Sequence, residues 1–320
     1  MPPPDSGAQA SAVRSECRRR AYRRIRLRAV ASRYDGGTQG RRGEWRMLSR
    51  LKKLLGGGRA RAAVMSQLDR QAARSVDAPV QPRHVLCFLG RDRELQPLRD
   101  AANAAIAEFA TGFGIDDAYS AAEPDERMSR SFEVCRDRVA ADAWTPADEE
   151  AVGTHQSVLY VLGPRMTREN AVRASIGALF LVDRLIDAGA VAVKGESAGV
   201  AHGLHRWREL IRMGAVATDA DDALAQNRVC RLAFALRPLA SDGYFESVGF
   251  HLAGPPDVQV PRLRGSDRDA VVVIDSVADA IARHGIDAAL QAYDASLIDD
   301  RSHDTDDFKF NPYGIVRLST

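Results

Sequence analysis

The chemistry in this chain is concentrated in one stretch, "AVAVKGESAGVAHGLHRW", Ala190 to Trp207. Its centre, Gly195-Glu196-Ser197-Ala198-Gly199, matches the G-x-S-x-G pattern of serine hydrolases. In that pattern a serine at the tip of a strained strand-to-helix turn attacks a carbonyl, and small residues two positions either side leave it accessible. Ser197 is therefore the candidate nucleophile, with Glu196 and His202 as accompanying catalytic candidates. A hydrolase also needs a histidine base and an oxyanion hole. The order serine, acid, histidine leaves His251, His284 and His303 for the base, but residues 85–190 contain no "HGGG" run to supply oxyanion amides. Lys194 is also out of place at the buried end of a central strand. The competing reading is structural: Gly195 and Gly199 let the backbone turn sharply between a strand and a helix.

Two further sets of residues could hold a ligand. His202 and His205 lie three apart, with Glu209 one turn on, a spacing that metal sites use. No third or fourth ligand is identifiable, so no metal and no cofactor is expected. Gly163-Pro164-Arg165 and Gly90-Arg91 each put a cation at a strand-to-helix turn, where helix amides can receive an anion. Pro164 removes one such amide, and neither segment is a P-loop. Arg165, Lys194, His202 and Trp207 are the candidate ligand-binding residues. "DDRSHDTDDF", Asp299 to Phe308, has the acid content of a calcium loop but neither its glycine nor its closing glutamate, and reads as a solvated loop.

The elements that must position these residues are legible from periodicity. Val85 to Leu89 is a short apolar run suited to a buried strand. Leu95, Leu98, Ala102, Ala105, Ile106 and Phe109 then recur at helical spacing, ended by Gly112 and Gly114. Phe132, Val134 and Val139 suggest one buried element in the polar stretch 116–153. Val158 to Leu162 is a second strand, aligned with the first through Gly163 and Gly90. The helix after it, with Thr167 as its expected N-cap, carries Val172, Ile176, Leu179, Val182 and Ile186 on one face and stops at Gly189. Val191 to Val193 follows at once, which fits a parallel strand pair with a right-handed crossover. A helix over about Leu204 to Met213 comes next. "RVCRLAFALRPL", "GYFESVGFHLAG" and "DVQVPRL" read as strands, with turns at Asp242-Gly243 and Gly254-Pro255-Pro256. A helix over about Ser276 to His284 and a last strand in "FKFNPYGIVRL" complete the pattern. The expected fold class is α+β: a mixed sheet with early βαβ units, later antiparallel hairpins and helices mainly on one face.

Charge divides the chain. Residues 1–64 hold 17 Lys and Arg against 4 Asp and Glu, and residues 65–320 hold 28 against 39. The acidic body argues against duplex binding, which needs clustered cations. Residues 1–81 are expected to be a disordered basic tail and linker, with Met47 in "MLSRLKKLLGGG" as an alternative start, and residues 82–320 a single α+β domain. No window approaches the roughly 18 apolar residues of a membrane span. No apolar run follows Met1 or Met47 as a secretory signal requires, and the four scattered cysteines form no C-x-x-C pair. A cytoplasmic location is the expectation, with no membrane partner, a protein partner left open, and the oligomeric state undetermined.

"GAVAVKGESAGVAHGLHRWREL" together with "ESVGFHLAGPPDVQVP" resembles the bacterial proteins grouped as domain of unknown function 4261. The correspondence runs through Glu196, Ser197, Gly199, Ala201, His202 and Trp207, then through Gly249, Gly254, Pro256 and Asp257. Gly195, which creates the apparent elbow, departs from that pattern. The resemblance spans roughly Val85 to Leu318 and implies no activity. It implies that Glu196, Ser197 and His202 share one local structure, in which Ser197 and Glu196 serve a helix start and Trp207 anchors that helix to the sheet. The reading that follows is a non-enzymatic interaction or small-ligand-binding module, with a serine hydrolase using Ser197 as the alternative and a metal-dependent activity at His202 and His205 as the third.

Overall fold

All six residues of β1 (Val85–Gly90) are buried, so both its edges and both its faces must be covered. Alternation does the sorting: Leu86 and Phe88 point into one apolar cluster, Cys87 and Leu89 into another. β3 (Ser157–Leu162) and β4 (Ala190–Gly195) pair with β1 on either side, and both run antiparallel to it. β2 (Gly114–Ile115) and β5 (Val200–His202) form the edges, giving the order β2-β3-β1-β4-β5. In this computed structural model the described residues are 81–140, 143–299 and 309–320, and they belong to one compact unit, Pro79–Thr320. The expected basic tail, Met47 included, and residues 300–308 of the acidic loop lie outside the described residues.

The expected parallel pair is corrected here. β3 and β4 do run in the same direction, and α4 (Ala171–Asp187) crosses between them, but β1 is inserted between the two strands. A strand that is apolar throughout offers two buried edges, and the crossover unit opens to enclose it. The helix start is corrected too. Thr167 makes no cap; its N–H donates to Asn170 Oδ1 at 2.9 Å, and the helix begins at Ala171.

Helices cover the two faces of this sheet unequally. On one face α1 (Gln96–Glu108), α4, α5 (Leu204–Asp219) and α6 (Ala223–Phe234) bury the largest core, including Leu98, Leu179, Trp207, Leu210 and Phe234. On the other, the short α2 (Met128–Cys135) and α3 (Pro146–Thr154) contribute Met128, Phe132 and Val152.

The chain then builds a second sheet, β6-β7-β8-β10-β9, from β6 (Leu236–Ser241), β7 (Tyr244–Val248), β8 (Asp257–Pro261), β9 (Ala295–Ile298) and β10 (Ile315–Leu318). Its ladders are antiparallel except β8 with β10. α7 (Asp267–His284) lays Ala270, Ile274, Val277 and Ala278 on it, and α8 (Ile286–Tyr293) packs beside it. The fold is thus α+β, with two sheets where the sequence suggested one. "RVCRLAF" is the clearest departure, being the end of α6 and not a strand. Asp222 caps that helix by accepting from Leu224 and Ala225 N–H, and Val229, Cys230, Ala233 and Phe234 bury at helical spacing. Arg231 on α6 and Arg237 on β6 meet Asp275 and Asp279 of α7, tying the two sheets' helices together. No helix among the described residues is long and apolar enough to cross a membrane.

Candidate functional site

The GESAG segment is a hairpin turn. β4 and β5 pair antiparallel through Val193 with His202, Lys194 with Ala201 and Gly195 with Val200. The loop closes with Gly199 N–H donating to Gly195 O at 3.0 Å, and Gly199 takes the left-handed φ of 70° that glycine adopts without a steric penalty. The motif joins strand to strand, and α5 starts only at Leu204, so the strand-to-helix context expected for a nucleophile is absent. Ser197 is buried. Its Oγ accepts from Val85 N–H at 2.9 Å and donates to Arg83 O at 2.7 Å. Both bonds go to the main chain entering β1, and among the described residues no histidine hydrogen-bonds to it. The hydroxyl is a clamp between the turn and the sheet.

Glu196 and Lys194 sit two apart on the thinly covered face. Lys194 is 0% exposed, and its Nζ lies 2.8 Å from Glu196 Oε1. It also donates to Ser131 Oγ and lies 5.2 Å from the Phe132 ring centroid. Tyr160 OH reaches Glu196 Oε1 at 3.4 Å. Cys87 pairs in register with Tyr160 on one side and Lys194 on the other, so three adjacent strands present one polar row. Burial opposes both charges of the ion pair. Their mutual attraction outweighs it, holding the Lys194 ammonium above and the Glu196 carboxyl below the ordinary value, with Lys309 also favouring the carboxylate. Burial pushes the Cys87 thiol up to about 12, against the pull of Lys194. An ammonium so held is no general base, and a thiol so raised is no nucleophile at neutral pH.

His202 and His205 separate. His202 closes β5 before the helix begins, so the two do not share a helix face as expected; His202 is buried and His205 exposed. The His202 ring stands edge-on to Trp207 with centroids 4.8 Å apart. Its Nε2 is 3.0 Å from Ala233 O, which can only accept, so Nε2 carries the proton; Nδ1 faces Asp137 Oδ2 at 3.4 Å. Burial raises the Asp137 carboxyl, but the His202 ring and the Val139 amide more than compensate and hold it below its usual value. Among the described residues no group of three or more His, Cys, Asp or Glu could hold a metal ion. Trp207 does tie α5 to the sheet, its Nε1–H donating to Val193 O at 3.2 Å. Arg165 is exposed in the segment after β3, remote in the chain from Lys194, His202 and Trp207.

The two stretches that carried the family resemblance meet in space. Gly249, at φ 110°, packs so closely on the hairpin turn that a Cβ there would lie 2.4 Å from Ala198 Cβ.

Sequence reasoning missed one open cleft among the described residues. It measures about 580 Å³ and is lined by Arg136, Trp144, Thr145, Pro146, Glu149 and Glu150, where α2 and α3 cover the sheet. Its frame is rigid. Thr145 and Asp148 form a capping box at the start of α3, and Asp148 Oδ1 also accepts from Leu204 N–H at 2.9 Å, so one carboxylate holds the starts of two helices. Gly203 has no side chain because Asp148 stands where its Cβ would be, at 2.4 Å. Arg136 is fixed from below by an isolated bridge to Ala201. The Thr-Pro-x-Asp pattern of residues 145–148 was a legible helix start that the polar composition of 116–153 obscured.

No protein-family model matches the chain, and neither a curated protein nor a solved structure shows significant similarity to it.

Proposed function

We propose that the chain is a non-enzymatic binding module whose contact site is the cleft beside α3. One observation carries this reading: the hydroxyl of Ser197, the motif's only nucleophile, is spent on two main-chain bonds. Lys194, Glu196 and the Nε2 of His202 are likewise committed to partners inside the fold. The cleft, by contrast, offers an aromatic ring and carboxylates to solvent. The resemblance to domain of unknown function 4261 is compatible with this division, since none of its shared residues lines the cleft. A fluorophosphonate probe applied to the folded chain tests the proposal directly. No labelling above that of Ser197→Ala is expected. Labelling of the wild type that disappears in Ser197→Ala refutes the reading in favour of a hydrolase.

A further inference from the structure

The cleft's charge is unbalanced in a way that names its ligand. Arg136 Nη2 lies 2.6 Å from Glu149 Oε2, and the Trp144 Nε1–H donates to the same oxygen at 3.1 Å. Both donors converge on one oxygen, which leaves Glu149 Oε1 without a hydrogen bond among the described residues. The Glu150 carboxylate is exposed and makes no ion pair among them. Among the described lining residues one guanidinium therefore faces two carboxylates. The wall also shows what it accepts: the Arg136 guanidinium carbon sits 5.2 Å from the Trp144 ring centroid, a cation held against an indole face and a carboxylate together. Pro146 and the indole supply apolar surface beside the acids. Glu149 and Arg136 retain 47% and 28% side-chain exposure, so the charges are accessible and the pair is not sealed.

We propose that this cleft binds an organic cation on an alkyl stem, of the chemistry of a lysine or arginine side chain. The stem lies on Trp144 and Pro146, and the cation is shared between Glu149 Oε1 and Glu150. The inference rests on the binding-module reading and specifies its ligand class. The net acidity of residues 65–320 favours the same sign of partner.

The probe is n-butylguanidinium chloride, titrated into the full chain while the tryptophan indole N–H resonances are followed by NMR. Trp144 Nε1–H is expected to shift saturably, with half-saturation in the millimolar range typical of so small a ligand, on the order of 1–10 mM. Trp207 Nε1–H, buried and bonded to Val193 O, serves as the internal control and stays in place. n-Butanol, which has the stem without the charge, is expected to leave Trp144 unmoved. Glu150→Gln changes an exposed residue and leaves the Arg136–Glu149 pair intact; it should weaken binding at least about threefold, and raised salt should weaken it further. No saturable shift, or equal shifts from butanol and butylguanidinium, overturns the cation proposal. Because fluorophosphonate labelling is read separately, loss of the ligand class and loss of the non-enzymatic reading give different results.

Discussion

The two faces of the first sheet are built from the same strands, yet they solve burial differently. On the face covered by four helices, Leu86, Phe88, Leu159, Val161 and Val193 meet only apolar partners in the main. On the face covered by the short α2 and α3, the neighbouring positions Cys87, Tyr160 and Lys194 form a polar row that Glu196 neutralises. A thick helical layer can bury aliphatic side chains without polar chemistry. A thin layer leaves the sheet close to the surface, where a charge can be buried if its counter-ion is built in. The difference teaches that Lys194 and Glu196 are a structural answer to thin cover, whereas His202 packs on the thick side against Trp207 and Ala233.

The strongest way to break the comparison is to unbalance the polar face. Glu196→Ala strands a buried ammonium and is expected to cost about 3–5 kcal/mol in urea denaturation. The double replacement Lys194→Met with Glu196→Leu should return stability to within about 1 kcal/mol of the wild type, since a well-packed apolar pair replaces both charges. A loss under about 1 kcal/mol in Glu196→Ala would mean that the pair is solvated and the two faces are alike. On the apolar face, Leu159→Ala should cost about 3 kcal/mol through lost burial and the cavity left behind, and no second substitution of charge type should rescue it.

The gentlest probe is pH. His84 packs on the apolar side between Phe113 and Phe234, and its Nε2–H donates to Ser175 Oγ, which itself donates to Leu252 O. Burial, helped by His251, lowers its pKa to about 3. Between pH 6.5 and 3 the unfolded chain binds a proton that the folded chain does not. The stability His84 contributes is therefore complete above pH 6.5 and is lost as pH falls, at up to about 1.4 kcal/mol per unit. Asp257, whose carboxyl burial raises to about 6 despite bonds from Ser247, Phe250 and Asn311, works in the opposite sense between pH 6 and 3.8. Urea titrations at pH 7, 6 and 5 should show His84→Gln with a flatter decline than the wild type. An unchanged slope would mean that His84 titrates normally in the fold.

Much of the first sheet was legible because its signals are local. Apolar runs ended by glycine marked β1 and β3, and a broad apolar stripe marked α4. Strand order was not legible, since a buried strand reads the same whichever neighbours it takes; only the fold shows β1 entering between β3 and β4. The G-x-S-x-G spacing carried no information on whether a helix or a strand follows, and Val200 to His202, three residues long, gave periodicity nothing to detect. The α6 segment misled because valine and phenylalanine favour strands until an aspartate cap and tertiary packing impose the helix. The cleft escaped notice because Arg136, Trp144 and Glu149 are brought together by a segment whose composition reads as surface. The contacts of His202, Ala233 and Asp137, come from parts of the chain that its own stretch does not mention.

Asp148 and Gly203 lie far apart in the chain but occupy a single volume, one supplying the carboxylate and the other the vacancy that receives it. Neither position is free to drift alone. A methyl group at 203 is tolerable only if residue 148 shortens, and a shortened residue 148 releases the first amides of two helices at once. Among relatives of this chain the two positions should therefore change as a couple, and a designer grafting the cleft onto another scaffold would have to carry both.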